Sequence, residues 1–214
     1  MVPIRENLVP KDKYAIKCPY TRTPTRIVIH NTANDAPAAN EISYMRYNDL
    51  EVSFHYAVDD VNIVQGIPEN RNAWASGDGH GKGNMEGIHI EICYSKSGGK
   101  KFDKAEQNAA EFTASLLKKY GWGIDKVTKH RDYDGKYCPH RTLDRGWQRF
   151  LSMVKRYMEP AKTPVASKFT PYLIRKNCRD ALNIRKGPST NYGILGQIKD
   201  TLRYTIVEER PRLP

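Results

Sequence analysis

No apolar run in these 214 residues approaches the roughly 18 needed to cross a bilayer, so no membrane insertion is expected. The opening Met1-Val-Pro-Ile-Arg-Glu-Asn7 lacks the apolar core of a secretory signal. The chain is therefore expected to be made in a cytoplasm and to stay there until another route releases it. Cysteine is scarce. There are four, Cys18, Cys93, Cys138 and Cys178, with no Cys-x-x-Cys pair among them. They read as thiols rather than disulfides, and nothing beyond charge supports a nucleic-acid-binding zinc module. The glycine-rich stretch Trp74–Asn84 does not end in Gly-Lys-Ser/Thr and has no strand directly before it, which excludes a phosphate loop. Acidic side chains are in deficit, 24 against 35 lysines and arginines, leaving a net charge of +11. Residues 161–214 hold eleven of those bases against four acids, so the short tail carries most of the excess. Such a surface points to a polyanionic partner.

What is present suffices for one sizeable domain and a small appendage: 39% of residues are hydrophobic. Residues 1–20 are polar and read as an arm over the domain. Arg26-Ile-Val-Ile-His30 reads as a buried strand, and Pro37–Asn48 as a helix with Asp35 as its cap. Ser53–Val58 and Asn62–Gln65 read as a hairpin about Asp59-Asp60. In Gly87-Ile-His-Ile-Glu-Ile-Cys-Tyr94 alternate side chains face opposite ways. Ile88, Ile90 and Ile92 form a core face, and His89, Glu91 and Cys93 the other. A long helix carries the stripe Ala105, Ala109, Phe112, Leu116, Leu117. It is expected to start at Asp103, with Glu106 completing a capping box, and to end at Gly121. A strand over 125–129 follows, then a helix over 146–158 with Trp147, Phe150, Leu151, Val154 and Met158 as its apolar face.

The segment Lys129-His-Arg-Asp-Tyr-Asp-Gly-Lys-Tyr-Cys-Pro-His-Arg141 packs His130, Lys136, Cys138 and His140 into one loop. Imidazole nitrogen and thiolate sulfur are what a tetrahedral zinc prefers. Taken alone, the loop reads equally as a solvated polar segment with one buried thiol. His30 supplies a third candidate, placed just past a strand where open α/β sheets carry their sites. Glu91, flanked by isoleucines on a central strand, is costly to bury without a use. His89-x-Glu91 lacks the Pro-Cys-x-x-Cys partner of a zinc deaminase, which excludes that chemistry.

Taken together, Ile27-Val-Ile-His30-Asn-Thr-Ala33, His130-Arg-Asp132 and Lys136-x-Cys138-Pro139 resemble the zinc-dependent N-acetylmuramoyl-L-alanine amidases of phage endolysins and bacterial autolysins, relatives of the animal peptidoglycan-recognition proteins. The resemblance covers residues 20–158 and implies an α/β fold, a mixed central sheet with packed helices. It implies Zn2+ held by His30, His130 and Cys138, with His140 as the competing ligand. It further implies Glu91 as general base and Lys136 at the oxyanion. Asn31 and Thr32 would contact substrate. So would Trp74 and His80 on the loop that borders the family's groove, although Trp74 reads equally as a core anchor and His80 as an exposed loop histidine. The family's Tyr-His-Phe stands here as Phe54-His55-Tyr56, so no hydroxyl role carries over to this strand, and His55 reads as structural. The implied substrate is bacterial peptidoglycan, cut between N-acetylmuramic acid and L-alanine. The alternative is a non-hydrolytic peptidoglycan-binding protein of the same fold, in which the cysteine ligand is commonly replaced.

The expected organisation is a catalytic domain over 1–159, a proline-containing linker over 160–171 and a β segment over 172–214. In the last, Leu182-Asn-Ile-Arg-Lys-Gly-Pro-Ser189 resembles the opening of bacterial SH3 domains, which bind cell wall. The later strands of that module are expected to be missing after Val207. With the amidase resemblance, anionic wall polymers become the expected partner of the basic tail, and nucleic acid does not.

Overall fold

The computed structural model describes residues 1–159, 172–175, 180–186, 189–199 and 203–206. Two compact units are distinguished, Met1–Ala161 and Lys162–Pro214. The expected linker and Cys178 lie outside the described residues.

The first unit is built on a six-stranded sheet. Its strands are β1 (Ile4–Glu6), β2 (Arg26–Asn31), β3 (Tyr56–Val58), β4 (Ile63–Gln65), β5 (Gly87–Ile92) and β6 (Val127–Lys129), in the order β1-β4-β3-β5-β2-β6. Only the β3–β4 hairpin is antiparallel; β2 pairs in parallel with β5 on one side and β6 on the other. β2 is buried on both faces and opens with the apolar run Ile27-Val28-Ile29, as parallel strands do, whereas β5 alternates isoleucines with His89 and Glu91. Ile27, Ile29, Ile88, Ile90 and Ile92 are fully buried and hold the centre of the core. Helix α4 (Gly99–Tyr120) packs on β3 and β5, and α7 (Trp147–Met158) lies against α4 through Phe150 and Val154. Helix α2 (Ala38–Tyr47) packs on β3 and β4, and the short α3 (Lys82–Glu86) leads into β5. Among the described residues no helix is long and apolar enough to cross a membrane.

Several local expectations change. The N-terminal arm is part of the fold: β1 adds an edge strand beside β4, and after a short helix α1 (Tyr14–Lys17) both Lys17 and Cys18 are fully buried. Asp35 does not cap α2. It accepts from the Ser97 amide and hydroxyl at 2.8 and 2.6 Å, and the Ala38 amide donates instead to Asp59 Oδ2 at 3.0 Å. Helix α4 begins a turn earlier than its sequence suggests, behind Gly98 at φ 74°, so Asp103 and Glu106 form no capping box. Tertiary ion pairs win over the local cap: Arg145 bonds Asp103 at 2.6 Å, and buried Glu106 takes Arg149 at 2.6 Å and Arg145 at 3.4 Å. Gly121 does end the helix, in the left-handed region at φ 68° that favours glycine. The strand expected over 125–129 is a 3-10 turn, Ile124–Lys126, followed by the three residues of β6. Cys18, Cys93 and Cys138 are free and buried.

In the second unit β7 (Tyr172–Arg175) pairs antiparallel with β10 (Arg203–Ile206), and β8 (Leu182–Arg185) with β9 (Ile194–Ile198). Leu182, Ile184, Ile194 and Leu195 on the second hairpin are exposed.

The ion-pair reading of α4 separates two acids three residues apart. Glu106→Ala should lower the unfolding free energy by about 1.5–3 kcal/mol, because it removes a buried acceptor of charged hydrogen bonds. Asp103→Ala should cost less than about 1 kcal/mol, being an exposed pair. Denaturant unfolding of the two variants measures the difference; equal costs would restore the capping box.

Candidate active site

Strand register assembles the site. His30 on β2 is paired with Glu91 on β5, and Ile29 is paired with Lys129, the last residue of β6. The next residue, His130, therefore emerges beside His30, and their Nδ1 atoms lie 3.1 Å apart. The chain turns through α5 (Arg131–Asp134) and Gly135, at φ 83°, and doubles back. The Arg131 amide donates to the Cys138 carbonyl at 3.0 Å and the Cys138 amide to the Lys136 carbonyl at 2.7 Å. This brings Cys138 to the histidines: one donor atom from each of His30, His130 and Cys138 lies within 4.8 Å of the others, and all three residues are buried.

Hydrogen bonding fixes the tautomers. The Gly83 carbonyl, 3.0 Å from His89 Nε2, can only accept, so His89 Nε2 carries the proton and His89 Nδ1 accepts. His30 Nε2–H must then donate to His89 Nδ1 at 2.9 Å, which leaves His30 Nδ1 as a lone pair. His130 Nε2–H donates to the Asp134 carboxylate at 3.1 Å, so its Nδ1 is a lone pair too. Burial holds the pKa of His30 and His89 well below the ordinary value and lowers that of His130, against the pull of Asp134. Two neutral imidazoles thus point lone pairs at each other beside a thiol. That arrangement is repulsive in itself and suits a cation between the donors. Histidines braced through their second nitrogen are the common form in metal sites. His55 lies one layer deeper: it accepts the His89 amide at 3.0 Å and donates to the Arg71 carbonyl at 2.9 Å, a structural role.

Glu91 sits 4.0 Å from His30 Nδ1, and its Oε2 is buried with no partner. Burial, reinforced by the charge of Glu41, raises its pKa to about 8, and only Lys136 opposes the shift. The Cys138 thiol is pushed up to about 12 by burial and then by Glu91, with the Asn31 backbone pulling the other way. Both carboxyl and thiol thus favour their neutral forms until positive charge arrives.

These groups line a groove of about 830 Å³. Helix α2 contributes Glu41, Tyr44 and Met45, and the stretch after it contributes Asn48, Leu50 and Val52. Lys136 is exposed at the rim and Thr32 lines the wall with its buried Oγ1 unpartnered. Asn31 also lines it, but its amide is engaged by the protein. Asn31 Oδ1 accepts the Arg141 and Thr142 amides at 2.9 and 3.2 Å, capping α6 (His140–Asp144) and tying the cysteine loop to the end of β2. His140 faces the groove, yet its Nε2 donates to the Ser95 carbonyl at 3.2 Å, and it lies outside the donor cluster. The structure does not bring Trp74 and His80 to this groove. They form an edge-on aromatic cluster with Tyr20, and Trp74 Nε1 donates to the Ile16 carbonyl at 3.0 Å. The Tyr56 hydroxyl is likewise elsewhere, donating to Glu69 at 2.6 Å.

The family model for N-acetylmuramoyl-L-alanine amidase matches residues 20–141. The chain belongs to that amidase family. It is similar to N-acetylmuramoyl-L-alanine amidase XlyB of Bacillus subtilis (strain 168), 51% identical over 181 residues, 82% of this chain and 57% of XlyB. With N-acetylmuramoyl-L-alanine amidase CwlA of the same organism it shares 58% identity over 146 residues, 68% of this chain and 54% of CwlA. The chain thus spans about half the length of the curated relatives it matches. The solved structure of PlyL superposes with a TM-score of 0.70 at 54% identity, over 72% of this chain and 97% of PlyL.

Sequence reasoning missed three residues that the structure brings to this site. Asp134 has a signal, since it stands four residues after His130, within reach across one helical turn. His89 has one too, sharing a strand face with Glu91. Glu41 has none: on α2 it reads as an ordinary polar position.

Burial of Glu91 carries a signed pH prediction for the chelator-treated chain. A carboxyl whose folded pKa lies above its unfolded value stabilises the fold below the unfolded value and loses that contribution as pH rises. The window here runs from about 4.5 to about 8. Glu91→Gln cannot ionise, so its stability relative to the parent should increase across this window and level off above it. Chemical unfolding at stepped pH measures the difference.

Proposed function

We propose that this chain is a zinc-dependent amidase that hydrolyses the bond between the lactyl carbonyl of N-acetylmuramic acid and L-alanine in bacterial peptidoglycan. The observation that carries the reading is the convergence of the two imidazole lone pairs and the Cys138 sulfur beside the unpartnered Glu91 carboxyl, in a groove open to a large substrate. The family membership and the names of the relatives support the same reaction.

His30 Nδ1, His130 Nδ1 and Cys138 Sγ would hold the metal. Zinc bound by three protein ligands supplies a Lewis acid that acidifies water and polarises a carbonyl. Glu91 takes the proton of the attacking water and returns it to the departing alanine nitrogen. The exposed Lys136 ammonium at the rim offsets the negative charge that gathers on the carbonyl oxygen. His89 and Asp134 keep both imidazoles in the tautomer that presents Nδ1 to the metal. Asn31 acts through α6, holding Cys138 in reach, and Thr32 offers a hydroxyl to the substrate. Catalysis is assigned to residues 1–159, and 160–171 to a linker. Residues 172–214 are assigned to attachment, their excess of basic side chains drawing them to anionic wall polymers.

Metal content and release of stem peptide from defined walls test the assignment side by side. Cys138→Ser should lose zinc and hydrolysis together, since a hydroxyl stays protonated at neutral pH, while His140→Ala should keep both. Glu91→Gln should keep a full equivalent of zinc and lose roughly 10² or more in turnover. Zinc retained by Cys138→Ser and lost by His140→Ala would overturn the ligand set. A zinc-replete parent that binds fragments without cutting them would make the chain a recognition protein.

The attachment assignment has its own test. A chain ended after Pro160 should turn over soluble muropeptides at the parental rate and adsorb less to whole walls, with the difference shrinking as salt rises. A folded but inactive product would refute the division of labour.

A further inference from the structure

Lys17 is fully buried, yet nothing in the proposed chemistry uses it. An ammonium out of water is costly unless each N–H is engaged. Its bonds go to Asn48 Oδ1 at 2.7 Å and to the carbonyls of Leu50 and Val52 at 2.5 and 3.2 Å. All these acceptors belong to the stretch between α2 and β3, which forms neither helix nor strand. Neighbouring bonds tighten the same junction. Ser53 Oγ donates to the Lys17 carbonyl at 2.5 Å and accepts the Trp74 amide at 2.9 Å, and Lys13 pairs with Asp49 at 3.0 Å.

With the carbonyls of residues 50 and 52 turned inward to one cation, the side chains of Leu50 and Val52 stand outward. They are 54% and 56% exposed and, with Asn48, line the groove beside Tyr44. Such a stretch has no ladder of its own. The Asn48 side chain bonds the Tyr44 carbonyl and the Leu50 amide, and the charge-assisted bonds to Lys17 tie residues 48, 50 and 52 to one point and so favour one conformation of the whole stretch.

We propose that Lys17 is a positioning residue for the substrate groove: it fixes the 48–52 wall so that Leu50 and Val52 meet the bound muramoyl-peptide, without touching the substrate itself. The inference rests on the reading of this groove as the amidase's substrate site. If the wall is formed only part of the time, apparent affinity falls by the fraction formed while the chemistry of the bound complex is unchanged.

The test compares the parent, Lys17→Met and the double variant Leu50→Ala/Val52→Ala on a soluble N-acetylmuramoyl-peptide, with zinc content and unfolding recorded for each. Lys17→Met should raise KM about tenfold, the loss expected if the wall is formed about a tenth of the time. Its kcat should stay within about twofold and its zinc content at the parental value. The double variant, which leaves the backbone acceptors in place, should raise KM as well. A parental KM in either variant overturns the proposal. A parent that binds the fragment but does not cut it would strike the amidase reading alone, and dissociation constants from calorimetry would then replace KM. A second measurement needs no variant to fold. The Lys17 ammonium protons of the 15N-labelled parent should exchange slowly enough to give a resolved NMR signal at neutral pH, and exchange as fast as an exposed lysine's would overturn the clamp.

Discussion

Parallel pairing of β2 with a neighbour on each side is the constraint from which the site follows. Because side chains alternate along a strand, a slip of one residue would turn every one of them to the opposite face. The apolar partners prevent that slip: Ile27 against Ile88 and Ile29 against Ile90 on one side, and Ile27 against Val127 on the other. With those pairs seated, His30 must stand beside Glu91, and the residue after β6 must arrive next to His30. The core thus chooses the geometry of groups that contribute nothing to the core.

Burial acts on these groups in two directions. It keeps the imidazoles neutral, the form in which they can donate a lone pair, but it also favours the protonated thiol of Cys138 and the protonated carboxyl of Glu91. A divalent cation at the donors would reverse the second effect, since it would favour the thiolate and the carboxylate together. The site as the chain alone builds it is therefore tuned for the presence of positive charge, and Lys136 supplies only a part of that.

Much of this was legible in the sequence because the signals are local. The alternation in Gly87–Tyr94 gives a strand with a chemical face, and the eight-residue spacing of His130 and Cys138 across Asp134-Gly135 gives a reversal. What was not legible depends on the third dimension. Asp103 and Glu106 satisfy the local rule for a helix start, but Arg145 and Arg149, some forty residues on, draw them into ion pairs, and the helix begins earlier. Asp35 looks like a cap until Ser97 and Asp59 each find a better partner. Trp74 and His80 sit on a loop rich enough in glycine to approach a ligand, and that loop folds onto Tyr20 instead. In the first two cases residues remote in sequence compete for the same polar atom, and in the third a remote aromatic ring takes the loop.

The donors also differ in how firmly the fold grips them. His30 lies on a strand paired on each side, His130 follows a three-residue strand at the sheet margin, and Cys138 rides on a loop held to β2 through the cap that Asn31 places on α6. Opening free energies in a protein range from near zero at such margins to the full unfolding value in the core. An ion held by this triad would therefore enter and leave through a brief release of the 130–144 segment, with the sheet intact and one histidine still waiting in place. The lifetime of a loaded state would then depend on the few hydrogen bonds at the end of β2 as well as on the stability of the domain.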